Sequence, residues 1–175
     1  MSQNVFKNRK LRLCYYSTNP KTINLNRYNL EKRLEMLGAE IEIKHLTSID
    51  NKTLTPCDLL VIDAARIPQD AFKDWLLTLT SRLTGQNNIW IPALIFAKYS
   101  FASLADSLAK VYEMNWYFDL IDPDHLDSIP IRIANLLRIH DHLHELNRYN
   151  TRIYDLTLET EGLRAQLHAI LDKNK

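Results

Sequence analysis

The stretch "PCDLLVIDAARIPQDAF", residues 56–72, holds the most suggestive single group in the chain. The apolar run Leu59–Ile62 ends in the carboxylate of Asp63, and a helix-like pattern begins after Pro68. An acid at the C-terminal tip of a buried strand sits where open α/β sheets place their chemistry. Such a group either attacks an electrophile or holds the loop that follows it. As a strand-end acid near solvent, Asp63 could cap that loop or pair with Arg66 or Lys98. A second candidate is "HDHLH", residues 140–144, where His140 and His144 lie four apart on one helical face. That spacing suits a metal, but no acidic or sulfur ligand is committed to complete the site, and a solvated helix face is the plainer reading. Cys14 and Cys57 lie far apart in apolar contexts and read as reduced core thiols. Trp75, Trp90 and Trp116 fall on separate elements and read as core or interface residues.

Composition narrows the classes. With 46% hydrophobic and 25% charged residues the chain is a soluble globular type, and its 175 residues suffice for one domain plus an extension. A net charge of +1 and the lack of helix-turn-helix or zinc-finger spacing argue against nucleic acid as a partner. The apolar runs are strand-sized, so no membrane insertion is expected. The polar, basic start "MSQNVFKNRK" has no hydrophobic segment behind it, so no secretory signal is expected and the cytoplasm is the expected location. Only Gly38, Gly85 and Gly162 occur, which rules out a glycine-rich phosphate loop and the nucleotide cofactors that need one.

Strand patterns at 11–16, 39–46, 58–64, 89–97 and 115–121 alternate with helical patterns at 24–38, 69–85 and 100–114. The segment 39–46 alternates apolar and charged residues, as a half-buried edge strand does; 58–64 is apolar throughout, as a central strand is. Gly38 suits a helix C-cap, and Ser100 is a candidate N-cap. Parallel strands need crossover helices, and right-handed crossovers with short loops lead to a flavodoxin-like, doubly wound five-stranded parallel sheet in the order 2-1-3-4-5. The expected organisation is a flexible N-terminus at 1–9, the α/β domain at 10–130, and a long helix at 131–175.

In order and spacing, "DLLVIDAARIPQDAF", "IPALIFA" and "WYFDLIDPDHLDSIPIRIANLLRIH" resemble the third, fourth and fifth strands of the receiver domain of bacterial response regulators, over roughly residues 9–140. The resemblance implies that Asp63 occupies the phosphoacceptor position. It also implies a degenerate site. Where receivers carry a metal-binding acidic pair at the end of the first strand, this chain reads Tyr15 and Tyr16. Their Thr or Ser after the fourth strand is Ala97, and their Lys after the fifth is Asp119 or Asp122, depending on a gap. The proline after the acceptor falls one residue late. Phosphoryl transfer to a carboxylate relies on a divalent metal and positive charge, so a pseudo-receiver without catalysis, metal or cofactor is the expectation. Tyr15 and Tyr16 either line a small-molecule pocket or fill the space of the missing metal site.

From Ile131 to about residue 172 only Gly162 interrupts helical propensity. Leu136, Ile139, Leu143 and Leu146 step by three, four and three; Tyr149, Ile153, Leu156, Thr160, Leu163, Leu167 and Ile170 resume the alternation after a stammer. This narrow seam is the mark of a coiled coil, and "ELNRYNTRIYDLTLETEGLRAQL" resembles the signalling helices that follow receivers. The expected partners are a second copy of the chain, as a homodimer or higher oligomer, and an unidentified signalling protein. Three alternatives stand beside this reading. They are a receiver phosphorylated at Asp63 in a two-component pathway, a sensor with a small molecule at the strand ends, and the N-terminal regulatory part of a longer protein with an output domain such as a cyclic-dinucleotide enzyme.

Overall fold

The computed structural model describes residues 9–18, 29–49, 54, 57–84, 91–99, 104 and 116–173. Five strands, β1 (Lys10–Ser17), β2 (Glu40–Leu46), β3 (Leu59–Asp63), β4 (Ala93–Phe96) and β5 (Phe118–Ile121), form one sheet in the order β2-β1-β3-β4-β5. Every neighbouring pair is parallel. The flavodoxin-like topology expected from the strand–helix alternation is therefore the one adopted. All five residues of the central β3 are buried, whereas the edge strand β2 keeps Ile41 and Ile43 only half-buried between exposed neighbours. This difference is the one expected from the continuous and alternating apolar patterns.

Helices cover both faces. Helix α1 (Leu30–Leu34) runs into a single 3₁₀ turn, Glu35–Leu37, and α2 spans Gln69–Thr84. Helix α3 spans Ile129–Lys173. Leu30 and Leu34 of α1 and Ile129, Ile133 and Leu137 of α3 pack on Leu11, Leu13, Val61 and Phe96 of the sheet. Phe72, Leu76, Leu79 and Leu83 of α2 pack on Cys14, Leu60 and Ile62, which point to the opposite face. The period of two along each strand splits the core this way.

The expected C-cap at Gly38 is present: its φ is 66°, and its N–H donates to the Glu35 carbonyl at 3.0 Å. Glycine adopts this left-handed geometry without steric cost. Asn29, at φ 47°, precedes α1, so among the described residues that helix begins at Leu30. The expected helix at 100–114 and its cap Ser100 lie outside the described residues except Leu104, which is buried; Gly85 and Trp90 also lie outside them. β4 begins after Pro92, which has no N–H for the ladder but accepts the Leu60 N–H at 3.0 Å. Helix α3 starts two residues earlier than its apolar pattern suggests, with Pro130 in the first turn, where a missing N–H costs nothing.

The chain divides into two compact units, residues 1–138 and 139–175. In the second, Leu146, Tyr149, Ile153, Leu156, Leu163, Leu167 and Ile170 are each more than half exposed. Thr151, Thr157 and Thr160 return their hydroxyls to the carbonyls of Asn147, Ile153 and Leu156 at 2.7–3.0 Å. Among the described residues no helix is long and apolar enough to cross a membrane.

Candidate functional site

The C-terminal edge of the sheet is built by the ladder itself. Ser17 pairs in register with Asp63, and Asp63 with Phe96. One step further, the Ala64 N–H donates to the Phe96 carbonyl and the Ala97 N–H to the Ile121 carbonyl, both at 3.0 Å. Asp63, Ala97 and Asp122 are thereby brought to one edge. Ala97 is fully buried directly after β4, and Asp122 directly follows β5.

Asp63 is only 4% exposed, which corrects the expectation of an acid near solvent. Its Oδ1 accepts the Ala65 N–H at 3.2 Å, and its own carbonyl accepts both the N–H and the hydroxyl of Thr18, at 3.1 and 3.0 Å. The loop-capping alternative is thus the one this contact satisfies: the carboxylate closes an Asx turn at the start of the β3–α2 loop. That loop turns again through Ile67 N–H to the Ala64 carbonyl at 3.0 Å. The hydroxyl of Tyr99, in the β4 loop, donates to the Ile67 carbonyl at 2.5 Å, while its ring packs on Phe72 at 5.4 Å. Two neighbouring loops are therefore tied together beside Asp63.

Tyr15 and Tyr16 lie inside β1, opposite Val61 and Ile62, with the strand running on to Ser17. The Tyr15 ring is buried on the α1/α3 face and meets His45 edge-on at 5.6 Å; Tyr16 packs partly buried on the other face. Neighbours along a strand point to opposite faces, so the two rings line no common pocket.

Asp119 does not join the edge. It sits within β5, opposite Leu94, and its two carboxylate oxygens accept from one terminal nitrogen of Arg132 at 2.7 and 2.6 Å. Arg132 Nε also donates to Ser128 Oγ at 3.0 Å. Asp122 Oδ1 instead accepts the Asp124 N–H at 2.9 Å, capping the turn after β5. Among the described residues no three or more His, Cys, Asp or Glu side chains converge as a metal cage.

Thr18, Tyr99 and Arg132 carry no sequence signal, because each is recruited by a partner 13 to 45 residues away. The cysteines likewise lie far apart in sequence and close in the fold. A hydrogen bond between the thiols holds Cys14 below the ordinary thiol range and pushes Cys57 above it, and burial raises Cys57 further. Cys57 Sγ also lies 3.2 Å from the Leu59 carbonyl.

No family model matches the chain, and no curated protein matches it. Among solved structures, the flavodoxin of Streptococcus pneumonia aligns at 13% identity and a TM-score of 0.39, covering 71% of this chain and 98% of its own. A flavo di-iron protein variant from Thermotoga maritima aligns at 11% identity and a TM-score of 0.35, covering 73% of this chain and 35% of its own.

Proposed function

We propose that the protein is a pseudo-receiver: a non-catalytic signalling module of receiver-like fold that acts through protein–protein contacts and self-associates through α3. The observation that carries this reading is the engagement of the Asp63 carboxylate. It is buried, and its Oδ1 accepts the Ala65 N–H, in a loop that Thr18 and Tyr99 brace. A phosphoacceptor needs an oxygen free to attack, a metal to gather charge, and a cation for the transferred group. Here the neighbouring strand ends offer Ala97 and a second acid, Asp122, and the Arg132 guanidinium is held by Asp119 within the sheet. The same edge would serve as a recognition surface whose shape is held by hydrogen bonds and not switched by a phosphoryl group.

The exposed seam supports the second half of the proposal. A stripe of leucine and isoleucine on a helix with no sheet to cover calls for a partner, and a second copy supplies a matching stripe. Thr160 fits such a seam, because its hydroxyl is satisfied by Leu156 and only its methyl need face the partner.

The test is incubation of the full chain with acetyl phosphate and Mg²⁺, followed by intact-mass measurement. The expected result is an unmodified mass. An acid-labile phosphoryl adduct that is absent from Asp63→Asn would overturn the reading in favour of a working receiver.

A further inference from the structure

We propose that His140 and His144 form a two-imidazole site for a borderline divalent cation, of which Zn²⁺ is the representative probe. The residues sit one helical turn apart on α3, and both belong to the unit 139–175. Their Nε2 atoms converge to 3.0 Å, with ring centroids 4.4 Å apart and ring planes at 71°. Two imidazole nitrogens each about 2.0–2.1 Å from one zinc stand about 2.9 Å apart at a right angle and about 3.3 Å apart at the tetrahedral angle. The observed separation falls between the two. The spacing of the two nitrogens therefore already suits one ion, and the rings have to turn so that both lone pairs aim at it.

The surroundings favour the tautomer that a metal needs. His140 Nδ1 lies 3.9 Å from Asp141 Oδ1, too far for a hydrogen bond, so the carboxylate favours a proton on that nitrogen by charge alone. With that proton on Nδ1, the Nε2 lone pair of His140 points at His144. His144 then either donates a hydrogen bond or, in its other tautomer, presents a second lone pair 3.0 Å away, which a cation relieves. His140 is 8% exposed, whereas His144 is exposed, so the ion enters from the His144 side. His142 is turned elsewhere, with its Nδ1 3.9 Å from Glu145. No third described His, Cys, Asp or Glu joins the pair, so water completes the coordination. Imidazole ligands select zinc, nickel or copper over magnesium and calcium, which prefer oxygen. The bound ion would staple one turn of the helix and couple its stability to the free metal concentration.

The test is calorimetric titration of the full chain with Zn²⁺, with Mg²⁺ as control, alongside thermal melts. Expected are one zinc per chain, a melting temperature that rises with zinc, and no response to Mg²⁺. His144→Ala should abolish the zinc response, and because His144 is exposed the variant should stay folded, which circular dichroism checks directly. Asp141→Asn should weaken zinc by about fivefold or less, the loss of one nearby charge, and His142→Ala should leave it unchanged. No zinc response in the wild type would overturn the proposal and leave a hydrogen-bonded histidine pair. Equal zinc binding in His144→Ala, or a comparable loss in His142→Ala, would overturn it by moving the ion elsewhere.

Discussion

The seam of α3 can be broken at Ile153 and Leu156, and the size of the effect follows from how much of the seam lies in water. Leu146, Ile153, Leu156, Leu163, Leu167 and Ile170 are 51–61% exposed. Full burial of a Leu or Ile side chain is worth about 1.5–3 kcal/mol, so covering the exposed half recovers about 1 kcal/mol for each. Six side chains on each of two chains then contribute on the order of 10–15 kcal/mol, against an association cost of about 4–15 kcal/mol. Gain and cost are of the same order, so the loss of a few side chains decides the outcome. Replacing Ile153 and Leu156 by Asp removes four apolar contributions per dimer and desolvates four carboxylates, each at a cost of several kcal/mol. The double variant should therefore be a monomer of 20.5 kDa by light scattering, where the wild type runs at about twice that mass. Far-ultraviolet circular dichroism should show the α/β domain still folded, because its core lies in residues 11–137. A monomeric wild type, or a double variant that remains associated, would refute the reasoning and take the seam out of the account.

Three further outcomes follow from the first unit. Asp63→Ala strands the Ala65 N–H in a buried loop, at about 1–3 kcal/mol, and should lower the melting temperature by about 2–10 °C, while Asp63→Asn, which keeps an acceptor, should lower it less. Asp119→Ala leaves Arg132 without its carboxylate; a charge-assisted bond of this kind is worth about 1.5–3 kcal/mol, so the loss should fall at the low end given the partial exposure, and a double-mutant cycle with Arg132→Met should show positive coupling. Because Cys57 titrates above the ordinary thiol range, it should resist maleimide at pH 8.5 while a cysteine peptide reacts, and Cys14→Ala should restore its labelling by removing the thiol that raises it; rapid labelling of Cys57 in the wild type, read by peptide mass, would count against the thiol pair.

The fold was legible because its signals are local and repeated. The apolar run Leu59–Ile62, the alternation through Ile41 and Ile43, and Gly38 each report one element, and chirality then leaves few topologies. Element ends were less legible where one residue overrides the pattern. Pro92 removes a ladder donor before β4, and Pro130 enters the first turn of α3 when the apolar pattern alone would start the helix after it. The site was legible only in part. Position along a strand located Asp63 at the sheet edge, but nothing in "VIDAAR" says that the carboxylate turns back to the Ala65 N–H or that Thr18 reaches its carbonyl. Asp119 shows the same difficulty: it lies within β5, and whether its carboxylate meets an arginine thirteen residues on depends on the start of a helix that sequence places only to within a turn.

On the proposed reading, that ion pair offers a route for signalling without phosphorylation. Arg132 grips Asp119 and Ser128 at once and lies 3.3 Å from the Leu120 carbonyl, so the first turns of α3 are fixed to β5 by charge as well as by Ile129, Ile133 and Leu137. A partner that displaces the loop around Asp63 must strain the Tyr99–Ile67 bond and, through the shared ladder, the β4–β5 pair. Coupling of this kind needs a two-state element, and a partly exposed ion pair worth about 1–1.5 kcal/mol is weak enough to supply one. Binding energy at the edge would then reach α3 by altering the Arg132–Asp119 grip. On that account Arg132→Met should leave the α/β core folded and should weaken the dependence of α3 self-association on any partner bound at the Asp63 edge, as sedimentation of the two proteins together would read. Identical coupling with and without Arg132 would place the transmission in the apolar contacts of Ile129 and Ile133 alone.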